Sequence, residues 1–273
     1  MRTFISILTM SKNLQIKICL AILALLIFKE ANAQVLFGPK LGYQLSWTHY
    51  AKLYDGPIYA EGFNFSPQIG GIYSFNISDK IAFYSELYYA RRDKTEKTNE
   101  ETTLLRQHQV KNHMIEVPLM LRLSFPLKKK RNAPRFYVNA GPQAAFWLGG
   151  NGELSSLERF GGRNVIRTNY KVSFSPKEGE ATFYAEDANR LQFGLSAGSG
   201  LLIPLNRSGH QLQIDFRYTY GTTFLGSNLD LPIGQTEVEE NLSYGHSIVG
   251  FSAAYAFYTD IWGMRKGKSI RRK

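Results

Sequence analysis

The stretch from Val35 to Trp47 alternates with a period of two. Phe37, Leu41, Tyr43, Leu45 and Trp47 are apolar, with Pro39 the one interruption, and Gly38, Lys40, Gly42, Gln44 and Ser46 are small or polar. A strand sends successive side chains to opposite faces, so this segment carries one apolar face and one polar or tightly packed face. The pattern returns seven times, over 63–77, 81–91, 109–125, 135–148, 190–203, 210–224 and 244–258. The content of the two faces decides what such strands can build. The apolar set is large and aromatic, whereas the polar set holds Lys40, Glu86, Glu116, Arg122, Asp215 and Arg217 together with many glycines.

A soluble eight-stranded barrel such as a lipocalin puts its apolar residues inside. The polar set here cannot line an apolar ligand cavity. It can fill a narrow lumen as paired charges, while the aromatic and aliphatic set faces lipid. The connections support this reading. Those after the second, fourth and sixth strands are short, and those after the first, third, fifth and seventh are long. The expected fold is therefore an all-β, eight-stranded antiparallel transmembrane β-barrel with short periplasmic turns and long extracellular loops. Arg91 to Arg106 and Leu225 to Ser243 read as loops. In the longest connection, Gly149 to Ala188, residues 169–174 and 181–185 are expected to form a hairpin.

The N-terminus reads as a targeting segment. Lys12 and Lys17 precede the apolar run 18–28, and Ala31-Asn32-Ala33 is a small-x-small cleavage signal. The expected organisation is a signal peptide over 1–33, starting at Met1 or Met10, a barrel over 34–258 and a basic periplasmic tail over 259–273. Cys19, the one cysteine, falls inside the signal, and removing 1–33 lowers the net charge from +11 to +8. An exported chain rarely meets nucleic acid, so the basic balance points elsewhere. Lys128, Lys129, Lys130 and Arg131 lie in a short turn, and Arg265, Lys266, Lys268, Arg271, Arg272 and Lys273 lie in the tail. Both clusters fall at the periplasmic end, facing lipid head groups or an acidic periplasmic or envelope protein partner.

Ser85-Glu86-Leu87-Tyr88-Tyr89, the run from Ile115 through Glu116, Pro118 and Met120 to Arg122, and the run from Phe136 to Pro142 resemble the PorT-like outer-membrane β-barrel family of Bacteroidota. The segments 193–200 and Asp215-Phe216-Arg217-Tyr218 with Gly221, and the closing Tyr255-Ala256-Phe257, are also similar. The resemblance runs from about Gln34 to Tyr258 and implies an eight-stranded barrel in the outer membrane. For most members it implies no known activity. One branch serves the type IX secretion and gliding machinery, and these motifs do not assign the chain to it.

Eight strands leave an interior just filled by side chains, so the six charged residues named above are expected to form a structural lumen network. The serines and histidines offer few candidates for a hydrolytic site. His246 and Ser247 point to opposite faces, and Gly250-Phe251-Ser252-Ala253-Ala254 lacks the second glycine of a nucleophile elbow. His49, near Asp55, is the candidate to pair with Ser46. The five histidines show no metal spacing. Glu237, Glu239 and Glu240 are the candidates to hold a divalent cation with lipopolysaccharide, though a solvated acidic loop explains them as well. The expectation is a non-enzymatic outer-membrane protein with no cofactor and a structural or interaction role, in contact with outer-membrane lipid and lipopolysaccharide. The alternatives are a secretion-machinery component and a lipid-modifying hydrolase.

Overall fold

The computed structural model describes residues 35–50, 59–98, 104–128, 133–158, 165–174, 182–185, 188–205, 210–226, 228–233 and 236–259. Eight long strands carry the architecture: β1 (Val35–Tyr50), β3 (Asn64–Asn76), β4 (Ile81–Thr98), β5 (Leu104–Pro126), β6 (Arg135–Glu158), β9 (Leu191–Pro204), β10 (Gln211–Gly221) and β13 (Tyr244–Thr259). Each pairs antiparallel with its neighbours in chain order, and β1 pairs with β13, so the sheet closes on itself. Closure satisfies the backbone of every strand without an open edge, which a sheet in lipid requires.

The faces divide as the alternation dictates. Phe65 is 73% exposed, Leu195 61% and Leu41 61%, among a continuous outer set of large apolar side chains. Lys40, Glu86, Glu116, Arg122, Asp215 and Arg217 are all buried. This inversion of a soluble protein's pattern fits lipid outside and a polar interior. The turns at one end are tight: Ser78 Oγ accepts from Ile81 N at 3.1 Å, and Leu205 N donates to His210 O at 2.9 Å.

The opposite, extracellular end departs from the expectation of loops. β4 and β5 run on as a paired ladder through Lys97–Gln107, where Arg91 to Arg106 reads as a loop in sequence. β6 continues to Glu158 and takes β7 (Val165–Ser173) as a partner. Short β2 (Tyr59–Glu61) pairs with β4. The hairpin expected of 169–174 and 181–185 does not form, because β8 (Thr182–Tyr184) pairs parallel to β7. β11 (Asn228–Ile233) and β12 (Thr236–Asn241) make a separate hairpin within the expected loop 225–243. Above the membrane the outer face meets water and the inner face packs on apolar and charged groups alike, so hydropathy no longer alternates even though the strands continue.

A bulge marks that boundary. Met114 faces Trp147 but His113 faces Gly149, so Leu148 is an extra residue in β6. Gly149 has φ +130°, a conformation open to glycine and rarely to other residues. The insertion switches which positions of β6 face inward, from odd numbers (Gln143, Trp147) to even ones (Gly152, Leu154).

Candidate functional site

The lumen is built in layers from inward-facing positions of neighbouring strands. Near the periplasmic end Leu36, Ile72, Tyr84, Met120, Ala254 and Ala256 form an apolar floor. Above it Glu86 on β4 accepts from Lys40 Nζ at 2.6 Å and from both terminal nitrogens of Arg217 at 2.7 and 2.8 Å, with Tyr84 Oη as a further donor. Arg217 also donates to Asp215 at 2.8 Å, and Tyr137 Oη completes Asp215 at 2.6 Å. A two-nitrogen fork on one carboxylate, with every partner desolvated, is the geometry in which ion pairs in a low-dielectric site hold together.

A second cluster lies one inward position higher, where Glu116 stands across from Tyr88. Glu116 accepts from Arg92 Nε at 2.8 Å, from Tyr88 Oη at 2.8 Å and from Gln143 Nε2. Gln143 in turn accepts from Ser196 Oγ at 2.6 Å. The gap among Lys40, Gln44, Gln68, Tyr88, Asp215 and Arg217 holds about 10 Å³, room for about one water.

Two residues of the expected charge network, Glu116 and Arg122, do not pair with each other in the structure. Glu116 takes Arg92, a residue that the sequence assigns to a loop, and not Arg122. Arg122 instead lies between the rings of Tyr84 and Tyr137, 3.7 and 4.3 Å from their centroids, and among the described residues its Nε and one terminal nitrogen have no hydrogen-bond partner. Gly200 leaves the space that the Tyr137 ring occupies, because a Cβ there would stand 2.6 Å from Tyr137 Cζ.

At the extracellular end an apolar plug of Val110, Met114, Trp147, Tyr170, Val172, Leu225, Leu242 and Tyr244 covers the charge layers. Beside it Glu96 accepts from Tyr50 Oη at 2.7 Å and pairs with Lys94 at 3.0 Å and His108 at 3.5 Å. Burial pushes the Glu96 carboxyl up, but His108, Lys94 and Tyr50 outweigh it and hold the group down at about 2. Lys94 Nζ sits 4.6 Å over the Tyr244 ring.

The hydrolase candidates are rearranged. His49 does not pair with Ser46, whose Oγ has no partner among the described residues. It faces Ser247 Oγ through Nδ1 at 3.3 Å and the Gly221 carbonyl through Nε2 at 3.0 Å. Ser247 is 3% exposed, and the ring of His49 is stacked on Tyr220. His246 is buried against Tyr244, and neither ring nitrogen has a partner among the described residues. Among the described residues no three His, Cys, Asp or Glu side chains gather around a metal-sized site. Asp55, Lys129 to Arg131 and the tail from 260 onward lie outside the described residues, as do the side chains of Glu237, Glu239 and Glu240. Lys128 is exposed in its turn.

A feature that sequence reasoning missed lies on the outer face. Two adjoining hollows of about 440 and 480 Å³ open beside the bulge and share Asn151 and Lys171. The bulge signal was present in sequence as Gly149-Gly150 at the point where alternation stops.

The chain matches the family model described as outer membrane protein beta-barrel domain over residues 30–227, and it belongs to that family. The protein is therefore an outer-membrane β-barrel. In structure it is similar to OprG of Pseudomonas aeruginosa (14% identity, 84% of this chain and 98% of that one, TM-score 0.39). It is also similar to Ail of Yersinia pestis, solved with the heparin analogue sucrose octasulfate (13%, 82% and 99%, 0.32). A third similar structure is the outer-membrane protease OmpT of Escherichia coli (12%, 83% and 96%, 0.38). No curated protein matches the chain in sequence.

Proposed function

We propose that this outer-membrane barrel is a closed, non-enzymatic scaffold that presents a binding surface on its extracellular strand extensions. The lumen carries the argument. Its carboxylates Glu86, Asp215 and Glu116 are each tied to a cation, an apolar layer lies at each end, and the central gap holds about one water. A diffusion path would need that whole stack to unpack. Among the described residues, the part left to act is the sheet above the membrane. The test has two arms. Purified protein in planar bilayers is expected to give no steady conductance, and well-resolved open levels would overturn the reading. Removal of 150–173, the outer part of β6 with β7, is expected to abolish surface binding by cells expressing the barrel while the barrel still inserts.

The contact between His49 and Ser247 favours a competing reading, a lipid-modifying hydrolase. It is the weaker one, because the serine is covered and Nε2 of His49 faces a backbone carbonyl. Among the described residues no carboxylate orients that ring. Ser247→Ala is expected to leave the envelope lipid profile unchanged, and loss of a lipid product in that variant would favour the enzyme. A role in type IX secretion or gliding, implied by the PorT-like resemblance, is a narrower form of the scaffold reading. Stoichiometric co-purification with secretion proteins from solubilised envelopes would select it.

A further inference from the structure

The two hollows lie where the lipid-facing surface ends. Their lower edge is Tyr89 and Leu148, both exposed and at the top of the outer apolar band. Directly above stand Lys111, Lys171, Asn151 and Asn169. His113 links the two levels, since its Nδ1 meets Tyr89 Oη at 2.5 Å and its Nε2 lies 3.4 Å from Asn151 Nδ2. The bulge at Leu148 and Gly149 bends the sheet at this level.

The charge has a sign. Among the described residues of this face, Arg91, Lys111, Arg167 and Lys171 outnumber Asp93 and Glu153; Asp93 lies 2.8 Å from Arg91 and across from Lys111 in the neighbouring strand, and Glu153 lies 3.8 Å from Arg167. An apolar lower edge, with Lys111, Asn151 and Lys171 in one cross-strand row above it, matches a ligand with acyl chains below and with phosphate and sugar hydroxyls at the level of that row. The lysines act as point charges on phosphate, and the amides offer donors and acceptors to hydroxyls.

We infer that this outer-face hollow binds a phosphorylated glycolipid of the outer leaflet, with Lys111 and Lys171 facing its phosphate and Asn151 its sugar. The inference deepens the scaffold reading by giving its extracellular sheet a lipid ligand. The probe is bisphosphorylated lipid A, added to full-length protein in phosphatidylcholine nanodiscs, with dephosphorylated lipid A as the comparison. Wild type is expected to retain the bisphosphorylated form at least tenfold better. The K111E/K171E variant is expected to lose that preference, and K111Q/K171Q guards against a folding failure, with heat-modifiable migration confirming the folded barrel. K128E, at the other end, is expected to bind as wild type. Equal binding of the two lipids, unchanged binding by both double variants, or an equal loss in K128E would each overturn the inference. Conductance in the same nanodisc-derived protein reports separately on the closed-scaffold reading.

Discussion

Replacing Glu86 by Gln tests whether the lumen is held by charge. The substitution keeps size and shape but removes the carboxylate that receives Lys40 at 2.6 Å and the Arg217 fork at 2.7 and 2.8 Å. Breaking a buried ion pair from one side costs about 3–5 kcal/mol, because the remaining charge stays desolvated. Two features limit the loss here. Arg217 keeps Asp215 at 2.8 Å, and Lys40 Nζ keeps the face of Tyr88 at 4.9 Å, a contact worth up to about 2 kcal/mol when desolvated. The expected loss is therefore at the low end, about 3 kcal/mol. The assay is equilibrium unfolding in urea of the barrel folded into lipid vesicles, followed by tryptophan fluorescence. Lys40→Met added to Glu86→Gln removes the stranded ammonium and is expected to recover at least about 1 kcal/mol, a coupling of the size neighbours show. A Glu86→Gln loss below about 1 kcal/mol, or additive losses in the double variant, would refute the argument that these charges depend on one another.

Three further outcomes are expected. Glu96 is held down to about 2 from 4.5, so its stabilising share is full above about pH 4.5 and is lost as the pH falls toward 2; the protection of the β4–β5 extension from hydrogen exchange should weaken over that window, and Glu96→Gln should flatten the dependence. Gly149→Ala should destabilise by about 1–3 kcal/mol, because φ +130° is strained for any other residue and the new Cβ would lie 3.1 Å from Val172 O; unfolding in urea checks it. Arg122→Met should cost clearly less than Glu86→Gln in the same assay, since Arg122 has no carboxylate to strand and a similar-sized apolar chain can fill the space between Tyr84 and Tyr137.

The barrel was legible because lipid and lumen impose opposite chemistry on adjacent residues. Wherever Phe, Leu or Tyr alternates with Gln, Gly or a charge, the strand is in the membrane, and all eight crossings appear that way. The signal fails once the strand leaves lipid. Arg92, Lys94 and Glu96 are inward positions of β4 just as Glu86 is, yet their outward neighbours are Arg91, Asp93 and Thr95, so the segment reads as a charged loop. That loss hid Arg92, the partner of Glu116. The bulge at Leu148 shifted the inward phase of β6 and hid its continuation. Arg122 shows a different limit: period two gives a residue's face but not its height, and the height sets its neighbours, here two tyrosine rings.

The strand lengths show where the protein has placed its ordered structure. A tilted strand crosses the bilayer in about 9–11 residues. β10 has 11 residues, but β5 has 23 and β6 has 24. On one side the barrel ends near the membrane surface, and on the other a wall of sheet rises well beyond it. Fixing each extra residue costs about 1–2 kcal/mol of backbone entropy, and loops would connect the same crossings without that cost. Backing the wall with Trp147, Tyr170 and Tyr244 offsets the cost and leaves the wall's outer face free of packing duty. A surface held rigid above the membrane, with polar and cationic groups at its foot, is the part of this molecule best placed to bind something, and the hollows beside Asn151 and Lys171 open on it.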